Sequence, residues 1–241
     1  MVLNEDWQSR TKLLIGEEGI LKLENAHILV AGLGGVGSFA CEILARAGIG
    51  TLTIVDSDTF NPSNRNRQIA ALISTENKLK TDVIEQRLLD INPKIRVIKK
   101  TIYLKDENIL QILKEAPYTY VLDAIDTLSP KVFLIYNSIK INLRIISSMG
   151  SGGKFDPSLI KISDISESYE CRLAYIVRKK LHRLGIYSGC KVVFSTEKVP
   201  KEKVFEINNV PNKKSVIGTI SYMPPIFGAF AASEIIRDIL K

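Results

Sequence analysis

Cysteine is scarce. Cys41, Cys171 and Cys190 are the only three in 241 residues, odd in number and far apart. A disulfide framework needs paired thiols, and without a Cys-x-x-Cys pair a four-cysteine zinc site has no ligand set. A reducing, cytoplasmic setting is the expectation. Long hydrophobic runs are missing too: none approaches the roughly 20 apolar residues needed to span a bilayer. The start, Met-Val-Leu-Asn-Glu-Asp, has neither the basic segment nor the apolar core of a secretory leader. No membrane partner is expected.

Acidic residues thin out toward the end of the chain. Residues 151–241 hold fifteen Lys and Arg against nine Asp and Glu, whereas residues 1–150 hold eighteen against seventeen. Nearly all of the net charge of +7 therefore lies in the last part. A polyanion such as RNA is one reading of that surplus, and a solvated basic face is the other. Hydrophobic content of 45% and charged content of 24% are ordinary for a globular chain.

The most informative stretch is His27 to Asp58. Ile28 to Ala31 is a short apolar run of strand type, and Gly32, Gly34 and Gly37 follow in G-x-G-x-x-G spacing with an extra Gly35. Ser38 to Ala47 has helical spacing and stops at Gly48. Leu52 to Val55 is a second strand, with Asp56 at its carboxyl end. Strand, glycine loop, helix and acidic residue in this order form a nucleotide-binding unit. The glycines let backbone N–H groups approach a phosphate, and the helix N-terminus adds roughly half a positive charge. Asp56 is placed to accept from ribose hydroxyls. NAD, FAD and ATP all fit this much of the pattern.

The next segment narrows the choice. Asn64, Arg65, Asn66, Arg67 and Gln68 crowd polar groups into five positions, and Lys80 opens a helix over Thr81 to Ile91. A guanidinium that grips phosphate oxygens bidentately and an ammonium that acts as a point charge together suit a triphosphate. Arg65 reads better as a solvated charge. Strands are expected at Ile95–Ile98, Tyr118–Leu122 and Leu143–Ser148, with helices at Glu107–Leu113 and Lys131–Ile141. Asp126 follows the fourth strand, where ligands of open α/β sheets bind, and could hold Mg²⁺ bridging phosphates. Asp123 reads as a structural cap. The alternation predicts an α/β, Rossmann-like, doubly wound and mainly parallel sheet.

After Met149 the alternation ends, and the C-terminal extension is expected to include antiparallel strands. Leu159–Asp164 and Lys191–Ser195 read as strands and Leu173 to Leu184 as an amphipathic helix with a basic face that includes His182. Lys198–Lys214 reads as a mobile loop and Ile226–Leu240 as a buried helix. Residues 1–150 would then be an ATP-binding core, with a helical arm at Trp7–Glu24 packed through Leu13, Leu14, Leu21 and Leu23. Residues 151–241 would be a basic, substrate-binding extension on the same domain. Arg10, in the arm, reads by itself as a surface charge.

Taken together, Arg10, the Gly32–Gly37 loop, Asp56-Ser57-Asp58, Asn64 to Gln68, Lys80 and Asp123-Ala124-Ile125-Asp126 resemble the adenylating enzymes related to ubiquitin activation, which include the ThiF, MoeB and HesA proteins. Ser147 to Pro157, Ile162 to Ser166, Val177 to Leu181, Val192 to Glu197 and Gly218 to Gly228 are similar to the branch that dehydrates threonylcarbamoyladenosine in tRNA. Trp7 stands where many relatives carry Arg, and Glu170-Cys171-Arg172 where the branch more often shows Asp-Pro.

The resemblance implies that Gly32, Gly34, Gly35 and Gly37 hold ATP phosphates, Asp56 the ribose, and Asn64, Arg67 and Lys80 the phosphates, with Asp58 and Gln68 as further nucleotide-binding residues. It implies Mg²⁺ at Asp126, a monovalent cation (K⁺ or Na⁺) as a further candidate, and a homodimer in which Arg10 completes the other subunit's site. tRNA is the implied substrate. Rival readings are an adenylyltransferase for a sulfur-carrier protein, an NAD-dependent oxidoreductase and a nucleotide-binding scaffold. Cys171 or Cys190 as an acyl acceptor is a minor alternative to a plain thiol.

Overall fold

The computed structural model describes residues 6–200, 204–206 and 215–241. Helices are α1 (Ser9–Glu24), α2 (Gly37–Ala47), α3 (Lys80–Ile91), α4 (Asp106–Lys114), α5 (Leu128–Lys140), α6 (Arg172–Arg183) and α7 (Met223–Leu240). Strands are β1 (His27–Ala31), β2 (Thr51–Val55), β3 (Arg96–Lys100), β4 (Tyr120–Asp123), β5 (Ile145–Ser148), β6 (Ile160–Asp164), β7 (Lys191–Ser195), β8 (Val204–Glu206) and β9 (Ser215–Ile217). Seven strands form one sheet in the order β3-β2-β1-β4-β5-β7-β6, all parallel except the β6–β7 pair. The α/β, doubly wound architecture with an antiparallel C-terminal pair is the expected one. Because β7 pairs with β5, residues on both sides of position 150 share the sheet.

The central strands are apolar along nearly their whole length because both faces are covered. Leu44, Ile54, Leu88 and Phe227 pack on one side, with α2, α3 and α7. Ile109, Val121, Ile135 and Val177 pack on the other, with α4, α5 and α6. Strand order reverses between β1 and β4, so a crevice opens above their carboxyl ends, where ligands of this architecture bind.

Two expectations are corrected. The arm is anchored through buried Gly19, Ile20 and Leu23, while Leu13, Leu14 and Leu21 are 58%, 84% and 55% exposed. The backbone at Gly16 leaves helical geometry (φ 72°, ψ 176°), so the two turns do not present one continuous apolar face. The second correction concerns Lys198–Lys214. Val204–Glu206 is not loop but a strand, antiparallel to Ser215–Ile217. Residues 201–203 and 207–214 lie outside the described part.

Candidate active site

The glycine loop is shaped by close backbone approach. Gly32 has φ 92°, a region L side chains avoid, and its N–H donates to Val55 O at 2.8 Å. A Cβ there would stand 2.7 Å from Ala124 O, so the loop after β4 lies against the loop after β1. A Cβ on Gly37 would collide with Gly32 O, which leaves glycine as the only residue that closes the turn. Ser38 ties it further, its hydroxyl donating to Gly34 O at 2.6 Å. The glycine loop thus wraps tightly into the N-terminus of α2. From behind, Pro224 of α7 supports it, in reach of any Cβ at Gly35.

Asp56 sits beside that loop. Its Oδ2 accepts from Leu33 N at 2.7 Å and its Oδ1 from Asp58 N at 2.8 Å. Lys80, buried at the start of α3, places Nζ 2.9 Å from Asp58 Oδ2 and 3.8 Å from Asp56 Oδ2. Burial pushes the Asp56 carboxyl above its ordinary range, against the pull of Lys80 and the two N–H donors. Lys80 thus stands between two carboxylates at the edge of the glycine loop.

Asn64 and Gln68 are buried; Arg67 is half-buried. Asn64 Oδ1 accepts from Asn61 N at 3.3 Å, and Arg67 donates from one nitrogen to Ser63 O at 2.9 Å and Asn66 Oδ1 at 2.7 Å. Gln68 reaches the loop: its Nε2 is the neighbour a Cβ on Gly34 would meet, at 3.9 Å. Its Oε1 has no hydrogen-bond partner although buried. Leaving a buried acceptor unmade costs about 1–3 kcal/mol, so a ligand donor at this position recovers a real term. Arg65 is exposed, as expected.

Asp126 is exposed past the end of β4, and a network the sequence reading missed sets its backbone. Asp123, at the end of β4, accepts from Ile125 N at 3.0 Å. Its Oδ2 lies 2.6 Å from Lys131 Nζ, and both side chains are fully buried. Lys131 also donates to Ser147 Oγ at 3.1 Å and Ser148 O at 2.9 Å, on β5. The available signal was a lone lysine directly before the apolar run Val132-Phe-Leu-Ile, a charge that a buried helix face accepts only when paired.

Arg10 is not brought to these residues. Its neighbour Gln8 lies against Gly48, at the C-terminal end of α2. The phosphate loop is at the other end of that 11-residue helix, about 16 Å away. Cys41 and Cys190 are fully enclosed, and burial pushes both thiols up, the reverse of an activated nucleophile. Cys171 is buried as well. Among the described residues no group of three or more His, Cys, Asp or Glu could hold a metal ion. No helix among them is long and apolar enough to cross a membrane.

Comparison with known proteins gives the family. The sequence pattern of the ThiF family covers residues 8–241. A tRNA threonylcarbamoyladenosine dehydratase of Bacillus subtilis (strain 168) is 37% identical over 240 residues, covering 97% of this chain and 94% of the relative. One of the same name from Escherichia coli (strain K12) is 36% identical over 207 residues, covering 82% and 77%. The crystal structure of the E. coli enzyme in complex with ATP superposes with a TM-score of 0.86 at 32% identity, over 100% of this chain and 97% of that one. Matched by the family pattern over residues 8–241 and by relatives along nearly its whole length, this chain belongs to the ThiF family.

Proposed function

We propose that this chain is an ATP-dependent tRNA threonylcarbamoyladenosine dehydratase. The observation that carries it is the near-full-length match to proteins of that name, the E. coli one solved both with ATP and with AMP. The nucleotide-binding crevice described above supplies the chemistry. The carrier-protein adenylyltransferase and the NAD oxidoreductase are not favoured.

The reaction follows from a weak electrophile. A carboxylate repels nucleophiles and has no good leaving group. Its oxygen attacks the α-phosphorus of ATP, pyrophosphate departs, and an acyl-adenylate forms. A nitrogen of the same threonylcarbamoyl group then attacks the carbonyl carbon, the ring closes and AMP leaves, a net loss of water from the tRNA. The protein's part is to orient groups and neutralise developing charge. The backbone N–H groups from Gly34 to Gly37, with Asn64, Arg67 and Lys80, hold the phosphates, Asp56 holds the ribose, and Asp58 and Gln68 line the nucleotide site. Lys80 leaves Asp58 for phosphate oxygens as ATP enters. Asp126 fits a hard cation that takes most of its remaining ligands from phosphate and water, and Mg²⁺ held there would neutralise charge between phosphates. The role of K⁺ or Na⁺ is not assigned to any residue. No cysteine is needed. A cytoplasmic setting follows from the substrate.

The direct test is digestion of modified tRNA after incubation with enzyme and ATP. The nucleoside should lose one water only when ATP is present; unchanged nucleoside with active, folded enzyme would contradict the assignment. A second expectation concerns nucleotide choice. ATP with Mg²⁺ should raise thermal stability, by roughly 2.7 kcal/mol at a hundredfold excess over the dissociation constant, while NAD and NADP should not. Stabilisation by NAD but not ATP would overturn the reading of Arg67, Lys80 and Asp126.

Arg10 acts in trans in this proposal. It lies far from its own chain's glycine loop, and exposed Leu13, Leu14 and Leu21 on the same arm suit contact with a second subunit. Mixing inactive Arg10→Ala with inactive Asp126→Asn should recover part of the activity, through mixed dimers with one site free of both lesions. A monomer in solution, or no recovery despite subunit exchange, counts against it.

A further inference from the structure

Helix α6 turns Ala174, Val177 and Leu181 into the core. Its opposite side carries Arg172, Tyr175, Lys179, His182 and Arg183, all exposed. Positions 172, 175, 179 and 182 are spaced three, four and three apart, so they form one row along the helix. The helix has no Asp or Glu. Arg178, basic like its neighbours, belongs to the other side: its guanidinium donates to Ile165 O at 3.1 Å and to Ser168 O and Oγ at 2.7 Å each.

The row has a direction. Its first turn stands at the carboxyl end of the sheet, since a Cβ on Gly150, just past β5, would meet Leu173 Cβ at 3.8 Å. Its far end continues into Tyr187, whose ring centroid is 5.0 Å from that of His182. Tyr175 is 55% exposed and Tyr187 65%. Cations alternating with exposed rings, on a rim that leads from the nucleotide crevice, match single-stranded nucleic acid. Phosphates take the cations, and unpaired bases stack on the rings whatever their sequence. At about 1.5 Å per residue α6 spans about 18 Å, long enough to contact several successive nucleotides.

We propose that this outer stripe of α6 binds the unpaired loop of the tRNA, with Tyr175 a stacking platform and Arg172, Lys179 and Arg183 its phosphate contacts. This rests on tRNA being the substrate. The stripe would run the loop toward the crevice where the reacting carboxylate meets ATP.

The test is titration of the full chain, across salt concentrations, with a hairpin RNA that has an unpaired loop and with a blunt duplex RNA of similar length. Tyr175→Leu should weaken hairpin binding about 5- to 150-fold, the range for losing one stacked base, and leave the salt slope and duplex binding unchanged. Tyr175→Phe should bind as the wild type does. The triple variant Arg172→Ala, Lys179→Ala, Arg183→Ala should lower the slope of log affinity against log salt by about two units. All these side chains are exposed, and ATP-dependent stabilisation, measured alongside, should persist in each. Hairpin binding within twofold of wild type for Tyr175→Leu, or an equal loss on duplex, overturns the stripe alone. Wild-type chain that binds neither RNA but binds a small acidic carrier protein overturns the tRNA substrate as well.

Discussion

Replacing Asp126 by Asn is expected to cost on the order of 10²–10³ in the rate of adenylation while leaving the fold intact. The side chain keeps its shape and loses its charge. Asp126 is exposed at the mouth of the crevice, so the core does not feel the change. In the proposed reaction it stands where charge is rearranged as pyrophosphate departs, and removal of one preorganised electrostatic contact to a transition state costs about that factor. Some ATP binding should survive, because the glycine cradle, Asn64, Arg67 and Lys80 are untouched. ATP–pyrophosphate exchange measured beside a thermal melt separates the two effects. Near-normal exchange would remove Asp126 from the active site.

Breaking the Asp123–Lys131 pair should have the largest effect on stability. Both groups are fully buried, so removing either one leaves the other charged and desolvated. Loss of one partner of a buried pair costs about 3–5 kcal/mol. For a chain of this size that is a fall of roughly 6–20 °C in melting temperature. Lys131→Met alone and Asp123→Leu alone should each show it. The double variant should recover much of the loss, since apolar groups replace both charges together. Recovery of stability should not bring back activity. Without Asp123, Ile125 N has no acceptor, and the backbone that carries Asp126 is no longer fixed. Single variants within about 1 kcal/mol of wild type would show that the pair is not the structural core of the loop.

What the sequence made legible was local. Glycine spacing, a flanking strand and helix, and an acidic residue past the second strand all lie within some thirty residues, and each is fixed by short-range backbone chemistry. That is why the cradle, Asp56 and the parallel order could be read in advance. Lys131 could not, because its partners are on β4 and β5 and meet it only through the sheet. Arg178 looked like one more basic surface residue; its carbonyl partners follow β6, ten and thirteen positions back. The exposure of Leu13 and Leu14 was hidden by the departure from helical geometry at Gly16, since an apolar count assumes a continuous helix. High lysine content around positions 198–214 masked the short runs that form β8 and β9. Gln68 read as a nucleotide-binding residue, and the structure adds that its side-chain oxygen is buried without a hydrogen-bond partner.

The most direct test of the whole account is ATP–pyrophosphate exchange driven by alternative carboxylates. The enzyme should be offered tRNA bearing the linear threonylcarbamoyl group, the same tRNA without it, and, separately, small carrier proteins ending in glycine. Exchange with the modified tRNA alone is the predicted result. Exchange with a carrier protein, and none with the modified tRNA, would contradict it.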